Sequence, residues 1–232
     1  MLHGRRRGRK LRPRQQRLLD AVLPRLRFEP LRGQPFDPRH LFNGPVAAVW
    51  LEIGFGGGEH LLAQAMRLPD HGFIGCEVFE NGVVKLLAEV ERLGVTNLRL
   101  LIDDARPLVD ALAEGSLERV FILFPDPWPK LRHHKRRLVS TATLDALARA
   151  MADDAELRLA TDDMDYLRWM LERATTHEAF EWLARRPQDW RERPPDWPPT
   201  RYEQKALAAG RRPAFLRLRR RPRAVPAAAA AV

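Results

Sequence analysis

From residue 46 to residue 219, apolar runs of strand length alternate with segments of helical period, and this alternation constrains the fold more than any other feature of the chain. Residues 46–53, 72–78, 97–102, 118–124 and 155–161 read as five strands. Residues 60–68, 82–93, 107–113, 141–151 and 164–174 read as helices. Val83, Val84, Leu86, Leu87, Val90 and Leu93 fall on one helical face, and Thr141 is the expected cap of the helix it begins. Residues 178–184 and 214–219 are expected as two closing strands. Such alternation implies an α/β fold with a largely parallel sheet flanked by helices. Ligands of these sheets bind beyond the carboxyl ends of the strands, so the residues just after each strand form the candidate site.

The formal charge is +10 over 232 residues, and its placement is uneven. Eight Lys or Arg and no acid lie between Arg5 and Arg17, and seven Arg and no acid lie between Arg211 and Arg223. A chain this basic most often meets nucleic acid. Residues 1–40 are expected to form a basic N-terminal arm, partly disordered, with Leu18, Leu19, Val22 and Leu23 making one helical turn before Pro24. Residues 41–220 are expected to form one domain, and 221–232 a low-complexity alanine tail. A single cysteine, Cys76, excludes an internal disulfide and fits a reducing compartment. No apolar run reaches transmembrane length, and the Arg-rich start lacks the apolar stretch of a secretory signal. A cytoplasmic protein is expected, with no membrane and no metal among its partners.

The first strand runs into Glu52-Ile53-Gly54-Phe55-Gly56-Gly57-Gly58-Glu59-His60. Glycines at 54 and 56 allow a sharp turn and close approach of a ligand. A dinucleotide fingerprint needs a third glycine where Glu59 stands, and that carboxylate would repel a pyrophosphate at the helix start. A phosphate-free ligand with a cationic center suits the loop better, which disfavors an NAD-dependent oxidoreductase. S-adenosylmethionine (SAM) is such a ligand. Glu77 ends the second strand, where a carboxylate holds the ribose hydroxyls of an adenosine. The third strand runs into Asp103 and Asp104; spacing alone leaves open which of them accepts from adenine and which caps the next helix.

The fourth strand runs into Phe124-Pro125-Asp126-Pro127-Trp128-Pro129-Lys130. Three prolines stiffen the loop and so place one carboxylate and one indole at the ligand edge. Leu131-Arg132-His133-His134-Lys135-Arg136-Arg137 follows, a cluster able to attract phosphates without reading sequence.

Three strings, Glu-Ile-Gly-Phe-Gly-x-Gly-Glu-His-Leu at 52–61, Phe-Pro-Asp-Pro-Trp-Pro-Lys-x-Arg-His-x-Lys-Arg-Arg at 124–137 and Thr-Arg-Tyr-Glu at 200–203, resemble the bacterial tRNA (guanine-46-N7)-methyltransferase family over roughly residues 40 to 218. The resemblance implies a class I SAM-dependent methyltransferase fold with a seven-stranded sheet, and methyl transfer from SAM to N7 of a guanine in the tRNA variable loop. It assigns cofactor binding to Glu52, Glu77 and Asp104, alongside Gly54, Gly56 and Asp126. It makes Asp126 the active-site aspartate. It assigns substrate contacts to Lys130, Asp162, Thr200, Arg201, Tyr202 and Glu203, and RNA contacts to Arg132, His133, His134, Lys135, Arg136 and Arg137. A monomer or a homodimer is expected. Two rivals are a methyltransferase acting on another RNA or DNA base, and a non-catalytic RNA-binding protein. The first usually carries Asn or Asp before Pro-Pro-aromatic, whereas Asp126 is followed by one proline; the intact Glu52, Glu77 and glycine pair argue against the second.

Overall fold

The computed structural model describes residues 6–30 and 35–224. The alanine tail from residue 225 and the first five residues of the basic arm lie outside the described residues. In chain order the elements are α1 (Pro13–Ala21), α2 (Leu23–Leu26), β1 (Val49–Ile53), α3 (Glu59–Arg67), β2 (Gly72–Cys76), α4 (Glu80–Leu93), β3 (Leu98–Leu101) and α5 (Ala105–Ala111). They continue with β4 (Leu117–Leu123), α6 (Thr141–Ala150), β5 (Met151–Thr161), α7 (Met164–Thr176), β6 (Phe180–Trp182), α8 (Gln188–Arg191), α9 (Arg201–Ala208) and β7 (Ala214–Arg220). Two 3-10 turns, Pro38–Leu41 and Leu131–Arg136, join them.

The strands form one seven-stranded sheet in the order β3-β2-β1-β4-β5-β7-β6. β1 to β5 are parallel, and β7 inserts antiparallel between β5 and β6. Sheet faces covered by helices on both sides require strands that are apolar on both faces. β1 satisfies this: Val49, Leu51 and Ile53 face one core with α5, α6 and α7, while Trp50 faces the other with α3 and α4. The order reverses at β1 and β4, so the crevice opens beyond the ends of these two strands.

Where one helical turn before Pro24 is expected, residues 13–26 form two short helices. Pro13 and Pro24 sit in the first turns of α1 and α2, where a missing N–H costs nothing. Leu18, Val22, Leu23 and Leu26 are buried against the face that holds Trp50, Val83 and Leu87. Each such burial contributes roughly 1.5–3 kcal/mol, which outweighs the local signal of the prolines. The cap of α6 is also corrected. Ser140, not Thr141, accepts from the Thr143 amide.

Candidate active site

A cleft of about 290 Å³ opens where the topology places it, floored by Ile53, Cys76, Val78, Ala105 and Leu138 and rimmed by Glu77, Asp103, Asp104 and Asp126. At one wall the chain turns through Gly54 at φ +78°; a Cβ there meets nothing within 4 Å and would project into open space. α4 presses its first turn on the same loop. A Cβ on Gly82 would lie 2.2 Å from the Gly56 carbonyl oxygen, so only glycine permits this approach.

Glu77 is held by backbone. Its Oε2 accepts from Gly56 N at 2.7 Å, and its Oε1 accepts from Val78 N and Phe79 N at 2.7 and 2.8 Å. Three of the roughly four acceptor sites of the carboxylate are thereby used, and the fourth, on Oε2, is left for a ligand. Capture of two hydroxyls therefore requires one of these amide bonds to give way. Asp104 is both rim and cap. It accepts from the Arg106 amide, capping α5, and pairs with the Arg106 guanidinium at 2.6 Å. Burial works against its charged form, yet the bonds from Arg106 outweigh this and hold the carboxyl below its ordinary range. Asp103 is more exposed and meets Arg6 at 3.1 Å. Cys76 in the floor is fully covered; burial, then the charges of Glu77 and Asp104, push its thiol far up. Four carboxylates against Arg136 and an Arg106 already paired make this cleft hostile to phosphate and suited to a cationic nucleoside.

Glu52 does not reach the main cleft. It is 3% exposed, lines a side recess with Glu59, Thr200 and Tyr202, and its Oε2 accepts from His60 Nδ1 at 2.7 Å.

The opposite wall is the loop after β4. Phe124 and Trp128 adopt φ of +52° and +46°, left-handed values that bulky residues avoid at a cost of roughly 1–3 kcal/mol each. The loop is clamped from several sides. Phe124 N donates to Ala160 O at 2.8 Å, and Arg137 Nε donates to Pro127 O at 2.8 Å. Arg136 stacks 5.0 Å over the Trp128 ring, and His133 meets its edge at 5.9 Å. Asp126 is exposed at the tip and lines the cleft with Trp128.

The basic segment divides. Lys130, Arg132 and Lys135 are exposed. Arg137 is corrected: its side chain is 1% exposed, bonds Pro127 O and Asp165, and is sandwiched against Tyr166 and Trp169. It holds the loop and has no route to a phosphate. His134 likewise lies against Trp169 and 3.7 Å from Asp165. For His133, burial and then the nearby Arg136 and Arg132 lower the imidazole, so it offers a ring face more than a charge.

The substrate residues expected at 200–203 also divide. Thr200 caps α9 through the Glu203 amide, and buried Glu203 pairs with Arg193 at 3.0 Å rather than with Arg201. Both side chains are committed to structure. Tyr202 reaches the cleft, and a Cβ on Gly56 would lie 2.9 Å from its ring. Burial, then the charges of Glu77 and Asp126, raise its phenol, which stays a donor. Arg201 is exposed. Asp162 is neither cap nor cleft wall. Asp163 caps α7, and Asp162 pairs with Arg211 at 2.6 Å.

Sequence reasoning missed the support beneath the site. Trp197, 2% exposed, packs against Phe121, His60 and Phe215 on the sheet. Buried Arg158 ties Glu156 at 2.6 Å to Asp196 at 2.7 Å, so the proline- and tryptophan-rich stretch is riveted to β5. The two Trp-Pro steps at 128 and 197 look alike in sequence, and only the sheet distinguishes them. No group of three or more His, Cys, Asp or Glu able to hold a metal occurs among the described residues, and no helix there is long and apolar enough to cross a membrane.

A family model described as putative methyltransferase matches residues 46–216. The tRNA (guanine-N7)-methyltransferase of Rhodospirillum rubrum is 56% identical over 226 residues, spanning 96% of this chain and 88% of that protein. The chain belongs to the tRNA (guanine-N7)-methyltransferase family. A second member of the family, from Roseobacter denitrificans, is 49% identical over 92% of this chain and 93% of its own length. Among solved structures, the 16S rRNA methyltransferase KamB is similar at a TM-score of 0.57 and 14% identity, covering 85% of this chain and 99% of that one. That likeness shows the fold: a class I methyltransferase sheet.

Proposed function

We propose that this chain transfers a methyl group from SAM to N7 of guanine 46 in the variable loop of tRNA, in the cytoplasm. The observation that carries the reading is the pairing of a carboxylate-rimmed, phosphate-averse cleft with a stiff loop that presents Asp126 beside exposed cations. Residues 41–220 make up the catalytic domain in this reading. SAM, when bound, supplies an electrophilic methyl on a cationic sulfur. Glu77, Asp104 and the Gly54–Gly56 turn would hold its nucleoside part, and Glu52 in the side recess its amino-acid end.

Guanine N7 carries a lone pair and no proton, so no base is needed to expose the nucleophile. The site must instead hold the ring in line at short range and keep water out. Asp126 accepts from guanine N1–H and the exocyclic amine, and so stabilizes the positive charge that the ring acquires. Trp128 and His133 offer ring faces to a base, a contact worth about 1–3 kcal/mol. Tyr202 closes the cleft over Gly56. Lys130, Arg132 and Lys135 meet phosphates. Incubation of the protein with unmodified tRNA and SAM, followed by chemical cleavage at 7-methylguanosine, tests this. A single cut in the variable loop is expected. A methyl on adenine, or no methyl with SAM still bound, favors the rival readings.

A further inference from the structure

His60 and Gln64 lie one helical turn apart on α3, both 1% exposed, and the proposed chemistry leaves them unused. Their hydrogen bonds form a directed chain. Gln64 Nε2 lies 3.0 Å from Asp196 O, a carbonyl that only accepts, so this atom is the amide nitrogen and the orientation of the side chain is fixed. The same nitrogen lies 3.3 Å from His60 Nε2, which must therefore accept. His60 Nδ1 then donates to Glu52 Oε2 at 2.7 Å. The other Glu52 oxygen makes no hydrogen bond among the described residues, and the residue lines the recess beside Gly54 and Tyr202. Gln64 Oε1 is buried without a hydrogen-bond partner among the described residues, so the side chain is held by its nitrogen alone.

The far end of the chain is equally committed. Asp196 precedes Trp197, whose carbonyl accepts from Arg193; Arg193 in turn pairs with Glu203 in α9. The segment that delivers Tyr202 to Gly56 is thus bound to α3 through one carbonyl, which also meets Arg67 at 3.4 Å on the surface. Aromatic rings enclose the relay. Phe121 lies 4.5 Å and Trp197 6.5 Å from the His60 ring, and the His60 and Gln64 side chains are buried among them.

We infer that His60 and Gln64 are positioning residues that aim Glu52 at the cofactor and tie it to the backbone of residues 193–203, so that cofactor binding and docking of this segment reinforce one another. The inference rests on the proposed function for what the cleft holds. Coupling of this kind is reciprocal: the factor by which the bound cofactor favors the docked segment equals the factor by which the docked segment favors the cofactor.

The test uses the full chain, calorimetric titration with SAM, and amide hydrogen exchange over residues 196–204 with and without SAM. Gln64→Met keeps the volume of the side chain and cuts the relay while leaving the Glu52–His60 bond. It is expected to weaken SAM about fivefold or more and to abolish the SAM-dependent protection of 196–204. His60→Phe, which removes the donor to Glu52, is expected to weaken SAM about tenfold or more. His60→Asn, which restores a donor at the Nδ1 position but no acceptor for Gln64, is expected to bring SAM affinity back only to the level of Gln64→Met; Gln64→Met carries the test if His60→Phe does not fold. SAM affinity and protection unchanged in Gln64→Met overturn the inference alone. A wild-type chain that binds no SAM overturns the functional reading and the inference with it.

Discussion

The two walls of the cleft are built by different means. At the glycine loop the backbone does the holding: Glu77 takes three amide hydrogens, and Asp104 after β3 adds one amide hydrogen to its pairing with Arg106. At the loop after β4, side chains do it. Arg137 clamps Pro127 from behind, Arg136 and His133 brace Trp128, and Asp126 stands exposed at the tip. The first wall is set by the backbone, with one acceptor position of Glu77 still open. The second presents a rigid scaffold whose functional group waits for a partner. In the proposed function the first arrangement serves a cofactor common to many enzymes, and the second serves the selection of one base in one RNA.

The largest effect that would break this division is at Asp126. Asp126→Ala is expected to lower methyl transfer by about 10²–10³-fold with SAM affinity unchanged by calorimetry. Loss of SAM binding instead would place Asp126 on the cofactor wall. Glu77→Ala should act in the opposite sense. It strands three amide hydrogens and is expected to weaken SAM about a hundredfold, while the affinity for tRNA, read by filter binding, is unchanged. Next come the cations. Replacing Lys130, Arg132 and Lys135 together by alanine should reduce the slope of log K for tRNA against log salt by about 2. Arg137→Ala should leave that slope intact and lower Tm by several degrees, since it removes a buried clamp. A changed slope in Arg137→Ala would restore it to the RNA surface. The smallest effect concerns acid. Burial opposes the charge on Glu156 and Asp196, but Arg158 outweighs it and holds both carboxyls below their ordinary range. Their stabilization is present above the ordinary carboxylate range and is lost as pH falls through the depressed values. Tm measured against pH should therefore fall less steeply at acid pH in a Glu156→Gln, Asp196→Asn double variant than in the wild type.

Local period carried much of the fold. Five parallel strands were legible because strands covered on both faces are nearly continuous apolar runs, as in β1 and β4. The positions of Glu77 and Asp126 followed from the rule that ligands sit past strand ends. What was not legible depends on contacts distant in sequence. Arg132 and Arg137 are alike as letters in a basic string. Only Asp165, 28 residues downstream, and the rings of Tyr166 and Trp169 bury one and leave the other free. Trp197 stands in a proline-rich stretch with no local sign of burial, and Phe215 and Phe121 enclose it from separate strands. Thr200 and Glu203 matched a functional string, but their polar atoms face each other and Arg193. His60 carried one local signal, a histidine and a glutamine four apart on an apolar helix face, which marks a buried polar pair without naming its partner.

The single thiol of the chain has a use of a different kind. Cys76 is covered in the cleft floor, and its proton is held tightly there. A thiol reagent reaches it when a local opening at the cleft floor uncovers it. Its labeling rate is then a clock for those openings, one tick per molecule, at one address. Because that address is the floor of the cleft proposed to hold SAM, the clock is expected to run slower when SAM is bound, and no engineered probe is needed to read it.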